Sequence, residues 1–314
     1  MDFRNLGRSG LQVSVVGLGC NNFGMRIDLE ASKTVVNAAL DAGVNLFDTA
    51  DVYGGSKSEE FLGVALGDRR HDVIVATKFG MKMGEGPYRS GASRKYIMAE
   101  CEASLRRLKT DYIDLYQIHA PDPKTPIEET MRALDDLVKA GKVRYTGHSN
   151  FSGWQTAEAH YIAEMHGLNH FISAQNDYSL LSRGIEAELV GACEKFGVGL
   201  LPYFPLASGM LTGKYHKGEE PASDTRMSAW GKAPIGQRLM SDRNFEIVGQ
   251  LSDYAGSRGH SILELAFGWL LSKSYTGSVI AGATKAEQVA SNVAAGEAWR
   301  LSDEEMAEVN KIAK

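Results

Sequence analysis

Four side chains suited to acid catalysis on a carbonyl group follow three consecutive aliphatic segments of this chain. Asp48 closes the first of these segments and Tyr53 follows five residues later, while Lys78 and His119 close the next two. A phenol has a pKa of about 10, so it becomes a usable acid at neutral pH when a nearby cation stabilises the phenolate. Lys78 can supply that cation. The four residue types therefore predict protonation of a carbonyl oxygen, with Tyr53 as the acid.

The other two members of this set fit the same chemistry. Asp48 can hold the Lys78 ammonium through a salt bridge, and His119 can donate a hydrogen bond to the substrate oxygen or relay a proton. Taken singly, each residue has an ordinary explanation: the aspartate as a helix cap, the lysine as a solvated charge and the histidine as a core residue. Their occurrence at the ends of successive segments favours a shared catalytic role.

The spacing of the segments predicts the fold that brings these residues together. Eight short runs of aliphatic and β-branched residues begin near positions 15, 44, 73, 112, 143, 171, 198 and 277, and amphipathic stretches separate them. Six of the seven intervals measure 27 to 39 residues, which is typical of one strand followed by one helix. No linker rich in Pro, Gly and Ser divides the chain. Residues 1–314 are therefore predicted to form a single α/β domain, a (β/α)8 TIM barrel, rather than two doubly wound domains.

The segments outside the repeating pattern are predicted to form a hairpin, a long loop and additional helices. Residues 3–14 read as a β-hairpin with a glycine-containing turn, which can cap the N-terminal face of the barrel. After the seventh strand, a long loop extends from about Leu206 to Ser241, and a loop of that length inside a compact domain is usually functional. Two helices, near 242–257 and 262–272, then precede the eighth strand. The chain ends in a helix over 301–313 that begins with a capping box.

Composition excludes several classes of protein. There are 34 Lys and Arg residues against 39 Asp and Glu, for a net charge of −5, so a nucleic-acid surface is not expected. The N-terminus lacks the apolar segment of a signal peptide, and no membrane segment is predicted. The 3 cysteines are widely spaced and form no metal-ligand pattern, so we expect reduced thiols, a cytoplasmic location and no bound metal. No pattern indicates an oligomeric state.

The segment DAGVNLFDTADVYG, from Asp41 to Gly54, resembles a signature of the aldo-keto reductase superfamily, and the likeness covers essentially the whole chain. The stretch HAPDP from His119 is similar to the bacterial branch and to the channel beta-subunit-like members. This resemblance implies a (β/α)8 barrel and reduction of a carbonyl group. It also implies that Tyr53 is the general acid, that Asp48 and Lys78 lower its pKa, and that His119 orients the carbonyl.

The cofactor implied by the resemblance is a nicotinamide dinucleotide that lies extended across the barrel mouth. Consistently, the chain has no G-x-G-x-x-G motif between a strand and a helix. By the resemblance, Ser149, Asn150 and Gln175 hold the carboxamide. Tyr203 stacks on the nicotinamide ring, although simple core filling stays open for this residue.

Two later segments are expected to hold the rest of the cofactor. The resemblance implies that the segment after the seventh strand wraps the pyrophosphate, through Leu206, Gly209, Leu211 and Lys214. After the eighth strand, where barrels commonly bind phosphate, the candidates are Gly282, Thr284 and Lys285. Lys285 can pair with a 2′-phosphate, so NADPH/NADP+ is expected rather than NADH. By the resemblance, Gln288 and Asn292 contact the adenosine end.

Three aromatic residues are candidates for the substrate pocket. They are Phe23 after the first barrel strand, Tyr88 after the third and Trp230 in the long loop. If they line one pocket, that pocket is apolar, so the expected partner is a small hydrophobic or aromatic aldehyde or ketone.

Three alternatives compete with a carbonyl reductase. The first is a module that binds NADPH as a redox signal with little turnover, as the resemblance to channel-associated members allows. The second is an NAD(P)-dependent dehydrogenase that oxidises an alcohol or sugar. The third is an aldolase barrel in which Lys78 forms a Schiff base.

Overall fold

The structure, a computed structural model, describes residues 1–223, 225–230 and 233–314, with only the backbone for Ala229, Trp230 and Ile235. A small antiparallel hairpin opens the chain, formed by β1 (Phe3–Asn5) and β2 (Gln12–Ser14). Parallel strands then recur along it: β3 (Val16–Gly19), β4 (Leu46–Asp48), β5 (Ile74–Phe79), β6 (Ile113–Ile118), β7 (Val143–Ser149), β8 (Phe171–Gln175), β9 (Gly199–Leu200) and β10 (Val279–Gly282).

These parallel strands form one eight-stranded sheet that closes into a barrel. Neighbours pair in the order β10, β3, β4, β5, β6, β7, β8, β9. The two end strands are linked because the N–H of Gly277 donates to the Leu200 carbonyl at 2.9 Å and the N–H of Leu200 donates to the Tyr275 carbonyl at 2.7 Å. The sheet therefore confirms the predicted (β/α)8 barrel, with a strand at each predicted position.

Helices surround the sheet, mostly one after each strand. They are α1 (Leu29–Asp41), α2 (Lys57–Leu66), α3 (Arg94–Leu108), α4 (Ile127–Lys139), α5 (Gly153–His166), α6 (Leu189–Phe196), α7 (Arg226–Trp230), α8 (Pro234–Leu239), α9 (Asp242–Gly256), α10 (Ile262–Leu271), α11 (Ala286–Ala298) and α12 (Asp303–Ile312). Side-chain caps begin many of them. Ser302 and Glu305 form the predicted capping box at the start of α12, an interaction that contributes about 1 kcal/mol.

The strand period of two decides which side chains enter the barrel. Ile74 and Ala76 of β5 pack inside the barrel in one cluster with Leu46 and Leu115. Because alternate residues of a strand share a face, the same period points Lys78 inward at the C-terminal end of β5. The buried ammonium of Lys78 therefore lies at the mouth of the barrel.

The hairpin closes the opposite end of the barrel, as predicted. Leu6 and Val13, one in the hairpin turn and one in β2, are fully buried and belong to the same interior cluster as the barrel residues above. The apolar contacts of these two side chains remove the bottom of the barrel from water. The open end is therefore the one at which the strands finish.

The segment after β9 is more ordered than the predicted loop from Leu206 to Ser241. It contains the 3-10 helix Ala207–Thr212 and the short helices α7 and α8. Met227 and Leu239 anchor these helices because both side chains are buried in the core. Within the described ranges, no helix is both long and apolar enough to cross a membrane.

Candidate active site

A buried lysine and aspartate form an ion pair at the mouth of the barrel. Lys78 is 0% exposed and Asp48 is 4% exposed, and the Lys78 Nζ to Asp48 Oδ2 distance is 2.7 Å. The ammonium also donates to the Thr49 carbonyl at 2.8 Å, and the Gln175 amide donates to the second Asp48 oxygen, Oδ1, at 2.8 Å. Charges this deeply buried are costly unless they are paired and hydrogen-bonded, and this pair meets both conditions.

Tyr53 stands beside this pair on a tight turn between β4 and α2. The Lys78 Nζ lies 5.1 Å from the centroid of the Tyr53 ring. Gly54, Gly55 and Ser56 all have positive φ angles, of 61°, 63° and 75°. A side chain on Gly54 would also come within 2.6 Å of a backbone oxygen, so the turn that presents Tyr53 requires glycine there.

The pKa of Tyr53 is set by two opposing effects. Burial raises it above its ordinary value, while the Lys78 ammonium acts to lower it. The net direction is upward, so the expected lowering by Lys78 is present but is outweighed by burial in the protein alone. Burial acts against the charge of Lys78 as well, but Asp48 and Tyr53 together raise the lysine's pKa. Tyr53 therefore rests protonated beside a charged ammonium.

His119 follows β6 and faces Tyr53. The two rings meet edge to face, with centroids 5.8 Å apart. Burial, aided by the charge of Lys78, lowers the pKa of His119 to about 3. The imidazole is therefore neutral at physiological pH, and it can donate a hydrogen bond without supplying a proton to the reaction.

A ladder of polar side chains links the strand ends around this group. Tyr203 Oη donates to Asn150 Oδ1 at 2.8 Å, and Asn150 Nδ2 donates to Ser149 Oγ at 3.1 Å. Ser149 Oγ in turn donates to the carbonyl of Gln175 at 2.8 Å, and the side chain of Gln175 reaches Asp48. Asn150 adopts φ 61°, a left-handed conformation that asparagine tolerates well. This network fixes the residues that were predicted to hold a carboxamide.

One cavity of about 870 Å³ opens at this end of the barrel. Most of the predicted site residues line it: Asp48, Tyr53, His119, Ser149, Asn150, Gln175, Tyr203, Leu206, Gly209, Lys214, Gly282, Thr284, Lys285, Gln288 and Asn292. Lys78 lies behind Asp48. Residues that are up to 244 positions apart in the sequence, as Asp48 and Asn292 are, thus surround a single space.

In the segment predicted to wrap a pyrophosphate, the backbone of Gly209 and the side chain of Lys214 lie close together. This residue has φ 98°, and a side chain there would lie 2.9 Å from Lys214 Cε. Glycine therefore allows the lysine to lie against the turn at the edge of the cavity. At the other edge, Gln288 Oε1 accepts from the Thr284 backbone N–H at 2.7 Å, which positions the start of α11.

Three residues that were predicted to contact the cofactor or the substrate do not line the cavity. Leu211 is fully buried in the core rather than at the cavity surface. Phe23 is also fully buried, packed in the core, and Tyr88 is exposed with Lys95 over its ring at 4.3 Å. Neither aromatic residue is among those that line the cavity. The Trp230 side chain lies outside the described residues, so the predicted aromatic pocket has no support from this set.

The cavity residues that the sequence interpretation missed include Asn22, Arg26 and Arg226. Arg226 Nη2 donates to Asn22 Oδ1 at 3.2 Å, and Asn22 Nδ2 donates to the Ala283 carbonyl at 3.2 Å. Asn22 follows β3 and could have been found by inspecting that strand end like the others. Arg226 lies in the long segment after β9, where no strand register indicates which side chains turn inward.

The chain is similar to known proteins over nearly its whole length. The model of the Aldo/keto reductase family matches residues 15–314. A protein of Oryza sativa subsp. japonica named probable voltage-gated potassium channel subunit beta is 40% identical over 300 residues, covering 94% of this chain and 91% of that protein. The L-glyceraldehyde 3-phosphate reductase of Escherichia coli (strain K12) is 35% identical over 321 residues, covering 99% and 92%.

Proposed function

The chain belongs to the aldo/keto reductase family, and from this premise we propose that it is an NADPH-dependent reductase of aldehydes or ketones with Tyr53 as general acid. The observation that carries the proposal is the buried Lys78 ammonium, paired with Asp48 at 2.7 Å and adjacent to the Tyr53 ring at the cavity. Family members typically use NAD(P)H, and a relative named as a reductase is 35% identical to this chain.

The acid step follows from the positions of Tyr53 and Lys78. The phenol is protonated at rest because the ordinary pKa of tyrosine, about 10, is already above neutral and burial raises it further, so Tyr53 has a proton to give. As the proton leaves Tyr53 Oη for the carbonyl oxygen, negative charge develops on the phenolate, and the neighbouring ammonium stabilises that charge in a site with little water. Asp48 keeps Lys78 in place throughout the step.

His119 acts as an orienting group in this proposal. Its pKa of about 3 leaves the ring neutral, so it can hydrogen-bond the carbonyl oxygen without competing with Tyr53 as the acid. A donor held in advance near the reacting oxygen lowers the barrier because it needs no reorganisation during the reaction.

The cavity carries positive charge, which favours the binding of an anionic dinucleotide. Four basic side chains line it, although the whole chain carries a net charge of −5: Arg26, Lys214, Arg226 and Lys285. Ser208 also lines it, and the buried hydroxyl of this residue has no hydrogen-bond partner among the described residues. Bound NADPH would supply a hydride to the carbonyl carbon. Ser149, Asn150 and Gln175 would hold its carboxamide, and Tyr203 would pack against its ring.

The choice of NADPH rests on Lys285. This residue lies at the cavity, immediately before α11, where a cation and the helix N-terminus can both attract a phosphate. The 2′-phosphate distinguishes NADPH from NADH, so Lys285→Ala should weaken NADPH binding and leave NADH binding nearly unchanged. We place the enzyme in the cytoplasm because its three cysteines are free and buried, as is usual in a reducing compartment.

The proposed substrate is a small carbonyl compound. Phe23 and Tyr88 do not line the cavity, so these two residues give no support for a hydrophobic substrate. Arg226 lies near Tyr53, and near enough to Arg26 for the two guanidinium charges to interact. An aldehyde that carries a phosphate or carboxylate therefore belongs in the substrate panel beside aromatic aldehydes. The name of the Escherichia coli relative points to the same chemical class.

Two of the alternatives are less compatible with the site. A Schiff-base lysine needs a lowered pKa to be nucleophilic, whereas the pKa of Lys78 is raised and its ammonium is held by Asp48 and Thr49. A sensing module that only binds a cofactor has no need of a buried cation beside a phenol. Alcohol oxidation is the reverse of the proposed reaction and would use Tyr53 as the proton acceptor.

The test is the loss of absorbance at 340 nm with NADPH or NADH against aromatic aldehydes, α-dicarbonyls, sugars and glyceraldehyde 3-phosphate. Tyr53→Phe is expected to lower turnover by about 10²–10⁴-fold while the Kd for NADPH stays within about twofold. Near-normal turnover in this variant would overturn the assignment of the acid. Tight NADPH binding with no turnover in either direction would instead favour the sensing module.

A further inference from the structure

A cluster of metal-ligand side chains lies far from the cavity, at the other end of the barrel. His160 and Glu164 are one turn apart on α5, and His170 immediately precedes β8. Since the cavity lies where the strands finish, a residue at the beginning of a strand is on the opposite face. The proposed reductase mechanism makes no use of these three residues.

The three side chains already converge. One ligand atom from each lies within 4.8 Å of the others, and His170 Nε2 is 3.0 Å from Glu164 Oε1. Zinc binds imidazole nitrogen and carboxylate oxygen at about 2.0–2.2 Å, so ligand atoms around a tetrahedral ion are roughly 3.4 Å apart. A small side-chain adjustment is therefore enough to bring all three to one ion.

Neighbouring groups hold the ligands in position. The ring of His160 stacks on Phe196 with centroids 4.3 Å apart. The turn between α5 and β8 is fixed because the Asn169 backbone N–H and side-chain amide donate to Asp135 at 3.0 and 2.7 Å. The carbonyl of His170 accepts from Thr146 Oγ1 at 3.2 Å. Support of this kind lowers the entropy lost on binding a ligand.

We propose that His160, Glu164 and His170 form a binding site for a divalent transition-metal ion with the preferences of zinc. Two imidazoles and one carboxylate are a ligand set that zinc uses, and water can occupy the fourth tetrahedral position. Hard cations such as Mg²⁺ prefer oxygen ligands and should bind much more weakly. The bound ion would join the end of α5 to the start of β8 and so stabilise the fold.

The charge of Arg8 bears on the strength of this site. Its guanidinium acts electrostatically on His160, which opposes a second cation nearby. Glu164 contributes a negative charge directly to the ion and offsets this repulsion.

The experiment is calorimetric titration of the untagged chain with ZnCl2 and, separately, MgCl2. One zinc ion per chain is expected to bind at this site, and the midpoint of thermal unfolding should rise with zinc concentration. His160→Ala, His170→Ala and Glu164→Gln should each weaken that binding by at least about tenfold, because even outer partners of a metal site contribute about 10–100-fold.

His166→Ala is the matched control, since His166 lies on the same helix but faces Glu128 at 3.5 Å. It should leave zinc affinity unchanged. Glu164→Gln is nearly isosteric at an exposed position, so it keeps the test valid if a histidine variant folds poorly. Equal zinc affinity in the parent, Glu164→Gln and His170→Ala would overturn the proposal, as would loss of binding in His166→Ala alone.

Discussion

Two ion pairs in this barrel, each with a buried carboxylate, have similar lengths but different surroundings. Lys78 and Asp48 are 2.7 Å apart at the cavity, while Arg107 Nε and Glu59 Oε2 are 2.6 Å apart where α3 meets α2. Glu59 also accepts from Thr77 Oγ1 at 2.5 Å. In both cases a carboxylate from the region around β4 and α2 is neutralised by a cation that arrives from a later part of the chain.

The two pairs differ in the other groups that the cation contacts. Arg107 also donates to Glu100 at 2.5 Å and to Ser104 at 3.1 Å, so its donors tie helix residues together. Lys78 instead lies next to Tyr53, a group whose charge changes in the proposed reaction. A pair of this kind can therefore serve structure or chemistry, and its neighbours decide which.

The strongest test of this comparison is to remove the cation at the cavity. Lys78→Met should lower turnover by about 10²–10⁴-fold, because the developing phenolate on Tyr53 loses its stabilising charge. Turnover is measured by NADPH oxidation, with circular dichroism and NADPH binding as checks on folding. Since the single change leaves Asp48 buried and unpaired, Lys78→Met/Asp48→Asn is the matched variant. A folded double variant that retains turnover would contradict the role of Lys78.

The corresponding change at the other pair should act on stability. Arg107→Met leaves Glu59 buried without its cation and should lower the free energy of unfolding by about 3–5 kcal/mol, while turnover per folded molecule stays within about twofold. Urea denaturation measures the first quantity. Lys33→Met is the control: Lys33 and Glu30 are also 2.7 Å apart but exposed, so a loss below about 0.5 kcal/mol is expected. If both variants lost the same free energy of unfolding, burial of the carboxylate would not explain how much each pair stabilises the protein.

A smaller and opposite effect is expected at Asp51, which lies between the two pairs. Burial, followed by the charges of Glu100 and Glu59, raises the pKa of Asp51 to about 8. The Tyr96 hydroxyl donates to one of its oxygens at 3.3 Å, and the other is buried without a partner in the described structure. Between about pH 4 and pH 8 the folded state keeps this proton while the unfolded chain releases it, so this group lowers stability as pH rises.

Asp51→Asn removes that dependence. The variant should exceed the parent in free energy of unfolding by about 1 kcal/mol or more at about pH 8, and the difference should shrink towards about pH 4. Denaturant unfolding of both proteins across this range gives the difference directly. A variant that is less stable than the parent at pH 8, or a difference that does not change with pH, would contradict the assignment.

Much of the site could be predicted because strand ends in a barrel are close in space. Residue types at those ends identified Asp48, Lys78 and His119, and the family resemblance added Gln175; the cavity contains or adjoins all of them. The same rule could have identified Asn22. It could not have found Arg226, because the direction of a side chain in a long connection depends on how that connection packs. The assignment of 1–314 to a single domain stays a prediction.

The sequence by itself determined the order and type of the elements. Apolar spacing specified strands and helices, and the residues that close each strand specified a polar mouth for the barrel. The tertiary structure decided which of those residues are buried and which side chains return from distant segments. Phe23 entered the core, Arg226 entered the cavity, and burial rather than Lys78 set the direction of the Tyr53 pKa. The reason is physical: periodicity is a local property, whereas burial and electrostatic environment depend on every segment that packs against a residue.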